Sequence, residues 1–157
     1  MENNEMDHKT HNNQYKNLLL MLVISFIAMY FLMYVMVNSF SNVYHSFNQF
    51  YMAGLMTATM VIIELFLMRS MYSNKKRNNL IITASIVAFI GFFFLIRQQG
   101  GITDKQFLRS MIPHHAGAIL MCEETKIKNP KISELCNNIL SGQKNEIELM
   151  KALLQQL

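Results

Sequence analysis

Apolar and polar stretches alternate along the first two thirds of the chain with a long period. Residues 18–37 and 80–96 carry no charged side chain, and residues 50–68 carry a single acid, Glu64. A helix needs about 20 predominantly apolar residues to cross a bilayer. The pattern therefore predicts a three-helix transmembrane domain over 18–96, with spans at about 18–37, 50–68 and 80–96. Residues 1–17 are polar and Asn-rich, include His8 and His11, and read as a disordered cytoplasmic tail. A cleaved signal peptide is the alternative for the first span. The run is longer than a usual signal core, and no small-x-small cleavage site follows it.

The remaining residues, 97–157, change character. Gly100 and Gly101 uncouple them from the third span, and Thr103 followed by Gln106 forms a capping box. A helix from about 104 to 126 follows. Asn129 and Pro130 then supply a cap and a first-turn proline for a second helix running toward Leu157. The fold class is all-α: three spans, then an antiparallel two-helix hairpin.

Charge orients this plan. Arg69, Lys75, Lys76 and Arg77 lie between the second and third spans, whereas residues 38–49 hold no Lys or Arg. Basic loops stay cytoplasmic, so the first loop lies outside and the third span exports the hairpin. Lys9 and Lys16 place the N-terminus inside. The predicted location is a multi-pass cell-membrane protein with an extracytoplasmic C-terminal domain. Glu64, near the cytoplasmic end of its span, is expected to pair with a basic neighbour such as Arg69. A net charge of +4 with basic residues at helix ends gives no stripe for nucleic acid.

Fourteen Met, no Trp and two Cys shift attention to soft-metal chemistry. In RSMIPHHAGAILMC, an arc of about 120° collects Met111, His114, His115, Met121 and Cys122. Imidazole and thioether suit copper better than hard cations, and thioether favours Cu(I) over Cu(II). Pro113 removes the donor to the Arg109 carbonyl and should kink the helix before the His pair. On the second helix Ile132, Cys136, Ile139, Gln143, Ile147, Met150, Leu154 and Leu157 share a stripe with Glu146 at its edge. Counted outward from the turn, Cys122 comes level with Cys136, His115 with about Gln143, and Met111 with about Glu146. The bland alternative is a hydrogen-bonded core histidine oriented by Glu146. Cys122 is either a disulfide partner of Cys136 or a ligand; the spacing leaves both open. No Glu-x-x-His or HExxH motif is present.

The blocks DKQFLRSMIPHHAGAILM and ILSGQKNEIELM resemble the domain-of-unknown-function family 305, with its Met-x-x-His-His and Gln-x-x-Glu-Ile-x-x-Met helices. NQFYMAGLMTATMVIIELFLMR is similar to members with extra N-terminal spans. The resemblance implies a ferritin-like fold, copper binding and copper tolerance outside the cytoplasm. Carried position by position, it implies Met111, His114, His115, Met121 and Met150 as ligands, with Cys122, Gln143 and Glu146 as secondary candidates.

The leading expectation is a membrane-anchored copper-binding protein acting at the outer face, without an organic cofactor. Met52, Met56 and Met60 on the second span, and Met29, Met33 and Met36 on the first, repeat at near-helical spacing. They are either packing residues or a Cu(I) path, as in the three-span Ctr-type transporters that the pattern resembles. A non-metal sensor or scaffold docking a partner through the hairpin is the third reading. No nucleophile–base arrangement or nucleotide motif marks an enzyme. A two-helix hairpin cannot enclose both its apolar stripes, so a homodimer forming a four-helix bundle is expected. The competing cover is the chain's own loop 38–49, through Tyr44, His45 and Phe47.

Overall fold

A computed structural model describes residues 2–68 and 70–157, with side chains from Asn13 onward. Its elements are α1 (Glu2–Leu32), 3-10 turns at Met33–Met36 and Phe40–Asn42, α2 (Phe47–Leu67), α3 (Lys75–Arg97), α4 (Asp104–Glu124) and α5 (Pro130–Leu154). The described residues form helices and turns without strands, as the hydropathy pattern requires. They divide into two compact units, one of residues 1–31 and 50–100, the other of residues 32–49 and 101–157.

Three helices are long and apolar enough to cross a membrane, Asn13–Met36, Phe47–Leu67 and Lys75–Arg97, and most of their length lies in the first unit. Their apolar side chains face outward as much as inward. Leu19, Ile24, Phe31, Phe66, Leu80 and Val87 are all exposed, a surface that water tolerates poorly and a bilayer accepts. Inside, Leu18, Val61, Leu65 and Tyr72 are buried together, flanked by Met21, Leu22, Ile81 and Ile82. Gly54 lets the Phe92 ring close onto α2, since a Cβ there would lie 2.5 Å from Phe92 Cε2.

Two sequence expectations change. The polar tail is not a disordered segment before the span, because α1 starts at Glu2. Adding residues to an existing helix costs far less than nucleating one, and the span supplies the nucleus. The side chains of His8, Lys9 and His11 lie outside the described residues, as does Arg69, so the expected Glu64–Arg69 pair falls there too. The Glu64 carboxylate accepts a hydrogen bond from the Tyr72 hydroxyl. Finally, the first span does not stay α-helical to residue 37. Beyond Leu32 the chain tightens into a 3-10 turn, where the Tyr34 hydroxyl donates to Gln49 Oε1 at 2.6 Å and sits 3.0 Å from the Tyr44 carbonyl.

At the end of α3 the Gly100 N–H reaches back to the Leu95 carbonyl at 2.9 Å, with Gln99 at φ 52 and Gly101 at φ 72. Both φ values lie in the left-handed region, which Gly enters without a Cβ clash.

The second unit is the helical hairpin with residues 32–49 packed on it. The Thr103 side chain caps α4 by accepting from Gln106 N, and Asn129 caps α5 by accepting from Lys131 N and Ile132 N. The capping box is only half formed. The Gln106 side chain accepts from Phe47 N at 3.0 Å rather than returning to the cap. Asn48 Nδ2 donates to Ser110 Oγ at 3.3 Å, and Val37 and Tyr44 join the hairpin core. The loop thus covers α4 as the competing arrangement required, through Tyr44 and two hydrogen bonds. His45 and Phe47 themselves remain exposed.

Candidate metal centre

The core of the second unit decides which side chains α4 presents. Leu108, Ile112, Ala116 and Ile119 are buried against Ile147 and Met150. At 100° per residue this row is centred near Ile112, about 60° round from His115. His115 therefore sits at the edge of the packed face rather than at its centre. His114, about 160° from the row, is exposed, and so is Met121 at 52%. The single arc expected from sequence is thus split. Met111, His115 and Cys122 border the α4–α5 seam, whereas His114 and Met121 look out from it. α4 runs unbroken through the buried Pro113.

Across the seam His115 meets α5. Its Nδ1 lies 3.0 Å from Glu146 Oε2, with the His side chain 13% and the Glu side chain 55% exposed. Nδ1 is itself out of contact with solvent and makes no directed hydrogen bond. The carboxylate thus lies near the ring nitrogen but off the N–H axis. Burial pushes the His115 imidazole below its ordinary pKa; Glu146 opposes that shift and His114 adds to it. The ring is held neutral, the form that carries a lone pair for a metal. A carboxylate beside one ring nitrogen, leaving the other for an ion, is a recurrent arrangement around metal-ligating histidines.

The His114 and His115 rings are 6.0 Å apart between centroids and inclined at 58°. With metal–nitrogen bonds of about 2.0 Å, that separation is within the span of two imidazoles on one ion. Met111 packs at the margin of the core and Met150 is buried within it, while Gln143 is half-buried. Among the described residues no three His, Cys, Asp or Glu side chains converge. One chain therefore offers two imidazoles, with thioethers rather than further charged ligands to complete a set.

Cys122 is not a ligand in this structure. It is joined to Cys136 in a disulfide with Cα atoms 5.5 Å apart, well inside the usual range. The level counting that aligned the two cysteines is correct, whereas His115 meets Glu146, about one turn beyond the Gln143 level expected for it. A Lys144–Glu123 ion pair of 2.9 Å also spans the helices, and its exposure leaves it a small contribution.

The membrane methionines are less uniform than their spacing. Met52, Met56 and Met60 share one face of α2, with Met52 exposed and the others half-buried. The first-span series breaks, because Met29 lies in α1 while Met33 and Met36 lie in the 3-10 turn, within the other compact unit. Met29 Sδ is 3.8 Å from the Thr57 hydroxyl, whose stronger bond is to the Ala53 carbonyl at 2.8 Å.

Sequence reasoning missed the bonds that tie the loop to α4, made through Gln106 and Asn48, and the Tyr34 hydroxyl that braces the loop from within against Tyr44 and Gln49. A tyrosine near the polar end of an apolar run was the only available signal. It also missed a buried, unpartnered Arg109 Nε, one turn before the His pair.

Residues 95–154 match the family described as a Domain of unknown function (DUF305). The chain is 37% identical over 142 residues to the Uncharacterized protein L153 of Acanthamoeba polyphaga mimivirus, covering 88% of this chain and 91% of that protein. No solved structure matches. The first compact unit as well as the hairpin therefore falls within the shared length, and the chain belongs to the DUF305 family.

Proposed function

We propose that this protein is anchored in the cell membrane by α1–α3 and binds copper on its hairpin, at the extracytoplasmic face. The observation that carries the reading is His115, held neutral at the helix seam beside Glu146 with His114 as an adjacent, accessible imidazole. His114 and His115 would hold the ion, with Met111, Met121 or Met150 supplying thioether. Such a donor set selects copper over hard cations, and Cu(I) over Cu(II) as thioethers join. Copper is here the cargo of the protein. Its role is to be retained or handed on, and no catalytic step is assigned to it.

The location rests on charge. Lys75, Lys76 and Arg77 open α3, and residues 38–49 carry no Lys or Arg. The hairpin and the loop packed on it are then outside the cytoplasm, where the Cys122–Cys136 disulfide is chemically at home.

A homodimer completes the reading. The loop 32–49 packs on α4, yet Ile132, Leu135, Leu149 and Leu153 on α5 remain 53%, 57%, 60% and 41% exposed. Burying that row against a second hairpin gives a four-helix bundle of the ferritin-like layout, and brings two His pairs and two sets of thioethers into one assembly. Metal analysis of the purified protein, with and without His114 and His115, tests the proposal.

A further inference from the structure

Where α2 turns into α3, the first unit contains a cavity of about 520 Å³ that the copper reading does not use. Leu65, Phe66 and Ile82 give it an apolar lining, and Ser70, Lys75 and Asn79 a polar one. Among the described residues no acid lines it, and Glu64 is tied up in its hydrogen bond with the lining Tyr72. The turn around it is braced from within. Asn78, itself buried, donates to the Tyr72 carbonyl at 2.7 Å and accepts from the Tyr15 hydroxyl at 2.7 Å. The Tyr15 ring packs on Tyr72 at 5.4 Å and lies 5.6 Å beneath the Arg77 guanidinium. The polar rim is therefore held in place before any ligand arrives.

The charges at this end are locally unfavourable. Lys75, Lys76 and Arg77 occupy the first turn of α3, which contains no acid. Cations there face the positive end of the helix macrodipole, which favours an anion instead. Among the described residues neither Lys75 nor Lys76 makes an ion pair. The neighbouring Phe66 is 70% exposed and Leu67 72%, so apolar surface and the Lys75 ammonium meet at one cavity.

We propose that this cavity binds the phosphate headgroup of an anionic membrane lipid. Lys75, Ser70 and Asn79 meet the phosphate, and Leu65, Phe66 and Ile82 meet the upper carbons of an acyl chain. The apolar wall distinguishes a lipid from free phosphate, and the absence of acid in the lining disfavours a choline headgroup. The site rests on the membrane reading of α1–α3. It is independent of their orientation and of copper.

The test uses the full chain reconstituted in phosphatidylcholine bilayers containing a minor fraction of phosphatidylglycerol. Lipid retained by the protein is measured by native mass spectrometry, and vesicle flotation is measured in parallel. Wild type should retain phosphatidylglycerol above its bulk fraction. Lys75→Gln/Lys76→Gln should lower that enrichment by roughly fivefold or more, the effect of about one interfacial cation or greater. Lys105→Gln/Lys128→Gln, with the same net charge, should keep it, and millimolar inorganic phosphate should not displace the lipid. Equal enrichment in wild type and the Lys75/Lys76 variant, equal loss in the control variant, or displacement by phosphate would each overturn the site. Flotation without enrichment defeats the lipid site and leaves the membrane reading intact, whereas failure to float defeats both.

Discussion

Removing the Cys122–Cys136 bond should loosen the hairpin by a predictable amount. The cysteines are separated by 14 positions and close the α4–α5 turn. In the chain-entropy model a closed loop of about 15 residues is worth about 3 kcal/mol, through restriction of the unfolded chain. The bond joins helix ends that little else secures. The core residues Leu108, Ile112 and Ala116 lie toward the start of α4, and Met150 lies toward the end of α5. Near the turn the other cross-link is the exposed Lys144–Glu123 pair. Both helices should therefore still form on reduction, while the hairpin opens about two orders of magnitude more often, at a factor of ten per 1.4 kcal/mol. Hydrogen exchange of the full chain in bilayers, with and without a phosphine reductant, reads this as faster exchange of the α4 and α5 amides. Cys122→Ser/Cys136→Ser should reproduce it without reductant. A change below about tenfold would show that loop closure is not what the bond contributes, and that packing already fixes the seam.

Four further outcomes follow. His115 has a lowered pKa in the folded chain, so its unfolded form takes up a proton first; hairpin stability should be full above about pH 6.5 and fall as pH drops below it. Thermal melting across that window should show the loss and His115→Gln should flatten it, whereas a wild-type melting point that rises on acidification would contradict the sign. Glu146→Gln should move the His115 titration lower still, because it removes the group that opposes the shift. A cysteine placed within residues 38–49, or a tag after Leu157, should react with impermeant reagents in sealed cells while cysteines at Lys75 or Lys76 should not; the reverse pattern would refute the orientation. Finally, a cysteine at Leu153, on the exposed row of α5, should crosslink between copies in membranes, and a chain monomeric in every lipid condition would exclude the four-helix assembly.

The parts of this fold that were legible in the sequence are those that depend on local chemistry. Charge-free runs mark the spans because a charged side chain in lipid is costly. Thr103, Asn129 and Pro130 mark the hairpin ends because orphan helix amides need acceptors. Counting from the turn aligned Cys122 with Cys136 and put His115 within about a turn of its partner Glu146, since antiparallel helices rise at one common rate. What escaped depends on contacts distant in sequence. The packing of residues 32–49 on α4 runs through Gln106 and Asn48, with Tyr34 bracing the loop from within, and these side chains had plausible local partners. The rotation of the buried row away from the His pair is set by Ile112, Ala116 and Ile119 meeting Ile147 and Met150. A helical wheel shows that these residues share a face, and does not show that this face wins over the neighbouring one. That competition turned His114 and Met121 outward and made His115 the residue at the seam.

The most direct test of the account is the copper content of the purified full-length protein after equilibration with Cu(I) under reducing and chelator-buffered conditions. The wild type should retain copper in proportion to the chain. His114→Ala/His115→Ala should lose it while circular dichroism shows the helices intact, because the buried core of Ile112, Ala116, Ile119 and Ile147 is untouched. Met52→Leu/Met56→Leu should retain the wild-type amount. Undiminished copper in the folded His double variant would contradict the central claim.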